Sequence, residues 1–378
     1  MRPIFCLNSK QFWFRSNFCL FRLFLSDMGC ETKLWLEVVF LSVTCMQLCV
    51  LGVPQVPCHF IFGDSLSDCG NNNVLSTKAK VNYLPYGIDF PAGPTGRFTN
   101  GLTEADFITQ LLGFKNLTPP FANLNGSDIL EGVNYASGSA GIRNETGSRL
   151  GENFSLQKQV QNHRIIATQI AGKLGSIEKA QQHLNKCLYY MNIGSNDYIN
   201  NYEQPDYYPS QSLFTPEQFA AVLIQQYSIQ LRALYVIGAR RFALIGMMRL
   251  GCTPREISIH GKNGSLCVEQ DNDYSILFNS NLRTLVDQLN RELFGAKFIL
   301  INTAAIATGD ENYYCCKVDD KIGLCLPNSV PCSDRSQFKF FDAVHPSEKV
   351  NQVTAMNAYK SPSSAYAYPM DISQLIST

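Results

Sequence analysis

Short apolar runs alternate along this chain with longer stretches in which apolar residues recur every three or four positions. The runs at 59–62, 133–136, 187–193, 241–245 and 297–301 are apolar on both faces. That pattern predicts buried strands of a parallel sheet with helices on both sides. Helical periodicity fills the intervals, at about 155–173, 215–237 and 268–294. The second of these carries its own punctuation. Thr215 suits the N-cap, Pro216 the first helical position and Gln218 a capping box, and Gly238 stops the helix. A further helix is expected to start at Pro346. This alternation predicts a three-layer α/β/α sandwich around a mostly parallel five-stranded sheet. In such sheets ligands gather beyond the carboxyl ends of the strands. No repeat, low-complexity tract or long linker interrupts residues 54–378, so a single domain is expected there.

Residues 1–53 read differently. From Met28 a short polar stretch with Lys33 leads into an apolar run from 34 to 51 and a small-residue exit at Val50-Leu51-Gly52. This is the layout of a secretory signal peptide, with Met28 as the working start. Glu37 breaks the run and argues against a stable membrane span. Five N-x-[ST] sequons, at Asn116, Asn125, Asn144, Asn153 and Asn263, agree with export and offer sites for N-glycans. Of the 14 cysteines, Cys6, Cys19, Cys30, Cys45 and Cys49 fall in the leader. The rest are Cys58, Cys69, Cys187, Cys252, Cys267, Cys315, Cys316, Cys325 and Cys332. An oxidising compartment lets these pair, and their odd number leaves at least one outside an intrachain bridge. The last four lack the C-x2-C spacing and nearby histidine of a zinc module, so disulfides are expected there rather than a metal.

Charge and composition exclude several classes. Thirty-one basic residues balance 31 acidic ones, which argues against a sequence-independent nucleic-acid binder. A hydrophobic content of 45% excludes wholesale disorder. No H-E-x-x-H, Walker loop or G-x-G-x-x-G follows a predicted strand, so neither metal nor cofactor is expected.

Four segments carry candidate chemistry. Gly63-Asp64-Ser65 follows the first run and can present a hydroxyl on a tight turn. Serine alone is a poor nucleophile and needs a base. Ala136-Ser137-Gly138-Ser139-Ala140-Gly141 follows the second run, and its small residues let a backbone N–H approach a ligand. Gly194-Ser195-Asn196-Asp197 follows the third, where the Asn196 amide can donate to a developing oxyanion. Asp342-Ala343-Val344-His345 lies near the end of the chain. One loop there can set the carboxylate on Nδ1–H of His345 and leave Nε2 free to accept a proton. Taken singly, each segment reads equally well or better as an ordinary turn or cap.

Together and in this order, the segments resemble the plant branch of the GDSL esterases and lipases, also called SGNH hydrolases. IFGDSLSDCGNNN, GVNYASGSAGI, MNIGSNDY and FFDAVHPSEKVNQVTAMNAY are similar to its blocks, and the resemblance runs over nearly the whole chain from Pro57. It implies an SGNH, flavodoxin-like fold and a secreted serine ester hydrolase of the apoplast or cell wall, acting on lipid or cell-wall acyl esters. It further implies Ser65 as nucleophile, His345 as base and Asp342 as its orienting group. The N–H groups of Ser65 and Gly138 and the Asn196 amide would form the oxyanion hole. The sequence departs from the common pattern at Cys69, Ser139, Val344 and Lys349. An acyltransferase or a polysaccharide deacetylase would use the same residues. A catalytically silent binding protein would have no need of all of them.

Overall fold

The computed structural model describes residues 52–124, 126–262, 264–306 and 313–378. The chain divides into two units, Met1–Val53 and Pro54–Thr378. The expected leader lies outside the described residues except for its last two, as do Asn125 and Asn263; the fold below is that of the second unit. Its sheet runs in the order β1 (His59–Gly63), β2 (Leu188–Asn192), β3 (Arg241–Ile245), β4 (Lys297–Ile301) and β5 (Ala367–Tyr368). The first four strands are parallel and β5 pairs antiparallel with β4. The main helices are α1 (Glu104–Leu111), α2 (Leu156–Leu174), α3 (Ile177–Leu184), α4 (Pro216–Ile237), α5 (Pro254–His260), α6 (Glu269–Glu292), α7 (Glu348–Tyr359) and α8 (Ile372–Ile376).

Alternate residues of each strand serve opposite faces, which is why these runs are apolar throughout. Phe60, Phe62, Tyr189, Met191, Phe242, Leu244 and Phe298 pack against α2, α4 and α6. Ile61, Leu188, Tyr190, Ala243, Ile245 and Ile299 pack against α1, α7 and α8. The rings of Phe242 and Phe298 stack 4.3 Å apart across β3 and β4. Helix α4 starts as its sequence predicts: the Thr215 hydroxyl accepts the N–H of Gln218, whose side chain closes the box, and Gly238 caps the other end at φ 134°.

Two expected elements differ. Residues 133–136 form no strand of the sheet. They run along the outer edge of β1, where Ile61 N–H donates to Val133 O and Tyr135 N–H to Ile61 O, with a single bridge between Ile61 and Asn134. Gly132 turns the chain into this edge at φ 122°, where a Cβ would lie 2.0 Å from His59 O. The sheet instead gains β5, only two residues long. The helix expected at Pro346 begins two residues later, at Glu348. Pro346 is held back in a bridge with Phe340, its carbonyl taken by the Thr99 hydroxyl at 3.1 Å.

Disulfides join Cys58 to Cys187, Cys252 to Cys267, Cys315 to Cys332 and Cys316 to Cys325. Cys69 is the free cysteine among the described residues, and it is buried. No helix among them is long and apolar enough to cross a membrane.

Candidate active site

The carboxyl end of β1 is fixed before Ser65 is placed. Gln159 of α2 is fully buried. It accepts Gly63 N–H at 2.9 Å and donates to Gly63 O at 2.7 Å. A Cβ on Gly63 would lie 2.5 Å from Asn192 O, so only glycine lets β1 and β2 end side by side here. The chain then folds over Asp64, whose carbonyl accepts the N–H groups of Ser67 and Asp68. Its Oδ1 accepts Leu66 N–H at 3.0 Å, while Oδ2 has no hydrogen-bond partner. Burial pushes the Asp64 carboxyl up to about 7. This turn projects the Ser65 hydroxyl.

The loop before α7 supplies the other partners. His345 Nε2 lies 2.8 Å from Ser65 Oγ. On the far side of the ring, Nδ1 lies 2.8 Å from Asp342 Oδ2. Asp342 is fully buried and also accepts the N–H groups of Val344 and His345 on Oδ1, at 2.8 and 2.7 Å. Two local backbone donors therefore hold the carboxylate against the imidazole. The Phe98 ring packs on the imidazole at 4.9 Å between centroids.

Asn196 lines the same cleft as Ser65 and His345. Its amide donates one hydrogen to Ala140 O at 3.1 Å, and its Oδ1 accepts from Asn200 at 2.6 Å. Gly138 is placed differently from expectation. Its N–H donates to Asp68 Oδ2 at 2.9 Å, so that donor is already engaged. Ser139 lines the cleft in its place and sits at φ 65°. Among the described residues no acceptor takes the N–H of Ser65 or of Ser139. The structure thus brings together Ser65, His345, Asp342 and Asn196, with Ser139 rather than Gly138 presenting a free amide.

Two carboxylates within the quoted motifs hold these turns together, and sequence reasoning gave them no role. Asp68 accepts the N–H groups of Gly70 and Asn71 as well as that of Gly138. Asp197 accepts those of Ile142 and Arg143 and the Thr146 hydroxyl. Each ties its own turn to the segment 138–146. Burial raises both carboxyls to about 6, partly offset by these donors. The only sequence signal is their place inside the motifs, since their partners lie about 50 to 70 residues away.

Two groups of metal-ligating residue types meet elsewhere among the described residues. One is Cys58, His183 and Cys187, whose sulfurs are consumed in a disulfide. The other is Glu203, Glu256, His260 and Asp271, with donor atoms within 4.8 Å of one another. Hydrogen bonds to Glu256 and Asp271 raise the His260 imidazole to about 9, so a protonated side chain serves as the cation of that cluster.

A hydroxyl, an imidazole and a carboxylate in line at the carboxyl edge of a parallel sheet, beside free amide donors, is the equipment of a hydrolase that attacks carbonyl carbon. Comparison with known proteins specifies the class. Residues 60–358 match the model of the GDSL-like Lipase/Acylhydrolase family. One GDSL esterase/lipase of Arabidopsis thaliana is 44% identical over 91% of this chain and 99% of its own length. A second from the same plant is 47% identical over 85% of this chain and 92% of its own, and a third is 45% identical over 86% and 94%. The chain belongs to the GDSL-like lipase/acylhydrolase family and is an ester hydrolase.

Proposed function

We propose that this protein is a secreted serine ester hydrolase that cleaves acyl esters through an acyl-enzyme formed on Ser65. The observation that carries this reading is the line Ser65 Oγ to His345 Nε2 at 2.8 Å and His345 Nδ1 to Asp342 at 2.8 Å. With its proton on Nδ1, facing the carboxylate, the imidazole accepts the Ser65 proton at Nε2. The alkoxide attacks the ester carbonyl. The N–H groups of Ser65 and Ser139 and the Asn196 amide receive the developing oxyanion. His345 then protonates the departing alcohol, and water repeats the cycle on the acyl-enzyme. Asp342 holds the ring and balances the imidazolium.

Secretion is supported by the four disulfides, which persist in oxidising compartments. Among the described sequons, Asn116 is exposed and is the site we assign to a glycan; Asn144 is exposed too, but its amide donates to Gln157. Asn153 donates its amide to Thr146 O at 3.0 Å, which commits the nitrogen a glycan would need.

The test is hydrolysis of p-nitrophenyl esters of graded chain length by the purified mature protein and by Ser65→Ala. The variant is expected to lose turnover while its circular dichroism stays that of wild type. Wild-type rates in the variant would remove Ser65 from the mechanism.

A further inference from the structure

On one side the cleft at Ser65 is lined by Lys78, Arg149, Arg255 and Lys321 and by no aspartate or glutamate; the adjoining side has Asp64 and Glu256, both buried. The chain as a whole carries equal numbers of basic and acidic residues, so this one-sided lining is local. Arg255 is paired with Glu256. Lys78, Arg149 and Lys321 have no ion-pair partner among the described residues. A mouth with three uncompensated cations beside the nucleophile is built to receive negative charge.

The three cations come from chain-distant loops, each fastened near the catalytic turn. Lys78 N–H donates to Leu150 O at 2.7 Å, which brings the Lys78 and Arg149 loops together. Arg149 is held from two directions: its N–H donates to the Tyr208 hydroxyl at 3.0 Å, and its guanidinium stacks 4.7 Å from the Tyr207 ring centroid. Lys321 sits on a turn closed by Gly323 N–H to Asp319 O, and Gly323 O in turn accepts Ala343 N–H, between Asp342 and His345. Backbone hydrogen bonds and a stacked ring thus set the positions from which these charges act, so less conformational entropy is lost when an anion arrives.

We propose, resting on the esterase reading above, that the preferred substrate is an acyl ester carrying an anionic group, carboxylate or phosphate, which lies against Lys78, Arg149 and Lys321 while the ester carbonyl meets Ser65. The carboxyls nearest the reacting atoms do not oppose this. Asp342, Asp64 and Glu256 are each at most 1% exposed and carry no exposed face into the mouth of the cleft.

The experiment compares p-nitrophenyl hemisuccinate with its neutral methyl ester, which has the same acyl backbone and no charge; an ester bearing a phosphate forms a third arm. The charged esters should show kcat/KM higher by about tenfold at low salt, as expected of a few exposed ion pairs acting together. The advantage should shrink as ionic strength rises. A preference for carboxylate or for phosphate supports the proposal and identifies the anion. In Lys78→Gln/Arg149→Gln, and separately in Lys321→Gln, the ratio of charged to neutral kcat/KM should fall toward one. Circular dichroism checks that each variant is folded. A ratio of one or less in wild type, with the neutral ester still hydrolysed in a Ser65-dependent way, overturns the charge preference and leaves the esterase reading standing. An unchanged ratio in both variants also overturns it. If neither ester is turned over, the esterase reading falls as well.

Discussion

The hydroxyl of Tyr86 donates to Oδ2 of Asp342 at 2.5 Å, across 256 residues of chain. Oδ2 is the nearer of the two oxygens that face His345 Nδ1, at 2.8 Å against 3.0 Å for Oδ1. Tyr86 is fully buried, and its oxygen in turn accepts the N–H of Cys325 at 2.9 Å. The position of the Asp342 carboxylate therefore depends on a ring from another loop and on the Cys316–Cys325 disulfide loop behind it. Tyr86 is a positioning residue.

Tyr86→Phe keeps the ring but removes this donor and leaves the Cys325 N–H buried without an acceptor. A hydrogen bond to a charged group contributes about 1.5–3 kcal/mol. Turnover is expected to fall by about tenfold or more. Because the hydroxyl touches no substrate, the loss should appear in kcat with KM little changed. A rise in KM at constant kcat would show that Tyr86 acts on substrate binding instead.

Removing a donor at the cleft should be costlier. Asn196→Ala deletes one donor of the proposed oxyanion hole, and losses of such donors reduce turnover by about a hundred- to a thousandfold. Gly138 and Ser139 should behave differently from each other. A Cβ on Gly138 would lie 2.6 Å from Phe98 Cζ and 2.8 Å from Asn72 Nδ2, and Phe98 packs on His345. Gly138→Ala is thus expected to lower both stability and rate, with about 1–3 kcal/mol lost to overpacking. Ser139→Gly keeps the free N–H and relieves a left-handed backbone, so activity should stay within severalfold of wild type and the melting temperature should not fall. Steady-state rates and thermal melts of the three variants settle the order. Ser139→Gly as damaging as Asn196→Ala would overturn the assignment of that amide.

These relationships mark what could and could not be read from the chain. The interiors of β1 to β4 and the cap of α4 are legible because their signals are local: two-faced apolar runs, and a capping box closed within four residues. The order of the candidate segments is legible because the first and third follow β1 and β2 and the fourth precedes α7, while the second follows only the edge segment 133–136. The edge segment 133–136 and the two-residue β5 were not separable, since an apolar run reads alike inside a sheet and along its margin. The Gly138 amide was misplaced because its partner, Asp68, lies 70 residues away. Gln159 and Tyr86 gave no signal for the same reason. A buried polar side chain is identified by the distant group it satisfies, and that group is known only once the chain is folded.

Asp64 gives the protein a pH-dependent stability of unusual sign for a carboxylate. Folded, it keeps its proton up to about 7, because burial penalises the charge; the ordinary value is 3.8. Between those values the folded chain binds a proton that the unfolded chain has released, so this group lowers stability as pH rises through the window. Asp64→Asn keeps an acceptor for Leu66 N–H and removes the buried charge. The urea midpoint of the variant should decline less than that of wild type from about pH 4 to about pH 7, and should be higher above it. Parallel curves for the two proteins would show that Asp64 ionises freely in the folded state.

The disulfides should divide into those that hold the fold and those that hold the site. Cys58–Cys187 closes 129 residues and joins the chain just before β1 to the chain just before β2. Chain-entropy reasoning assigns a loop of that size about 5 kcal/mol. Cys316–Cys325 closes only 9 residues, for which the same reasoning gives about 2.5 kcal/mol. Yet Cys325 carries the N–H that anchors Tyr86, and Tyr86 orients Asp342. Cys58→Ala/Cys187→Ala is therefore expected to lose more stability by urea unfolding, while the molecules that remain folded keep nearly wild-type kcat. Cys316→Ala/Cys325→Ala should lose less stability and more kcat. The reverse pairing, with turnover following the long loop and stability the short one, would break the proposed link from the disulfide loop through Tyr86 to the catalytic carboxylate.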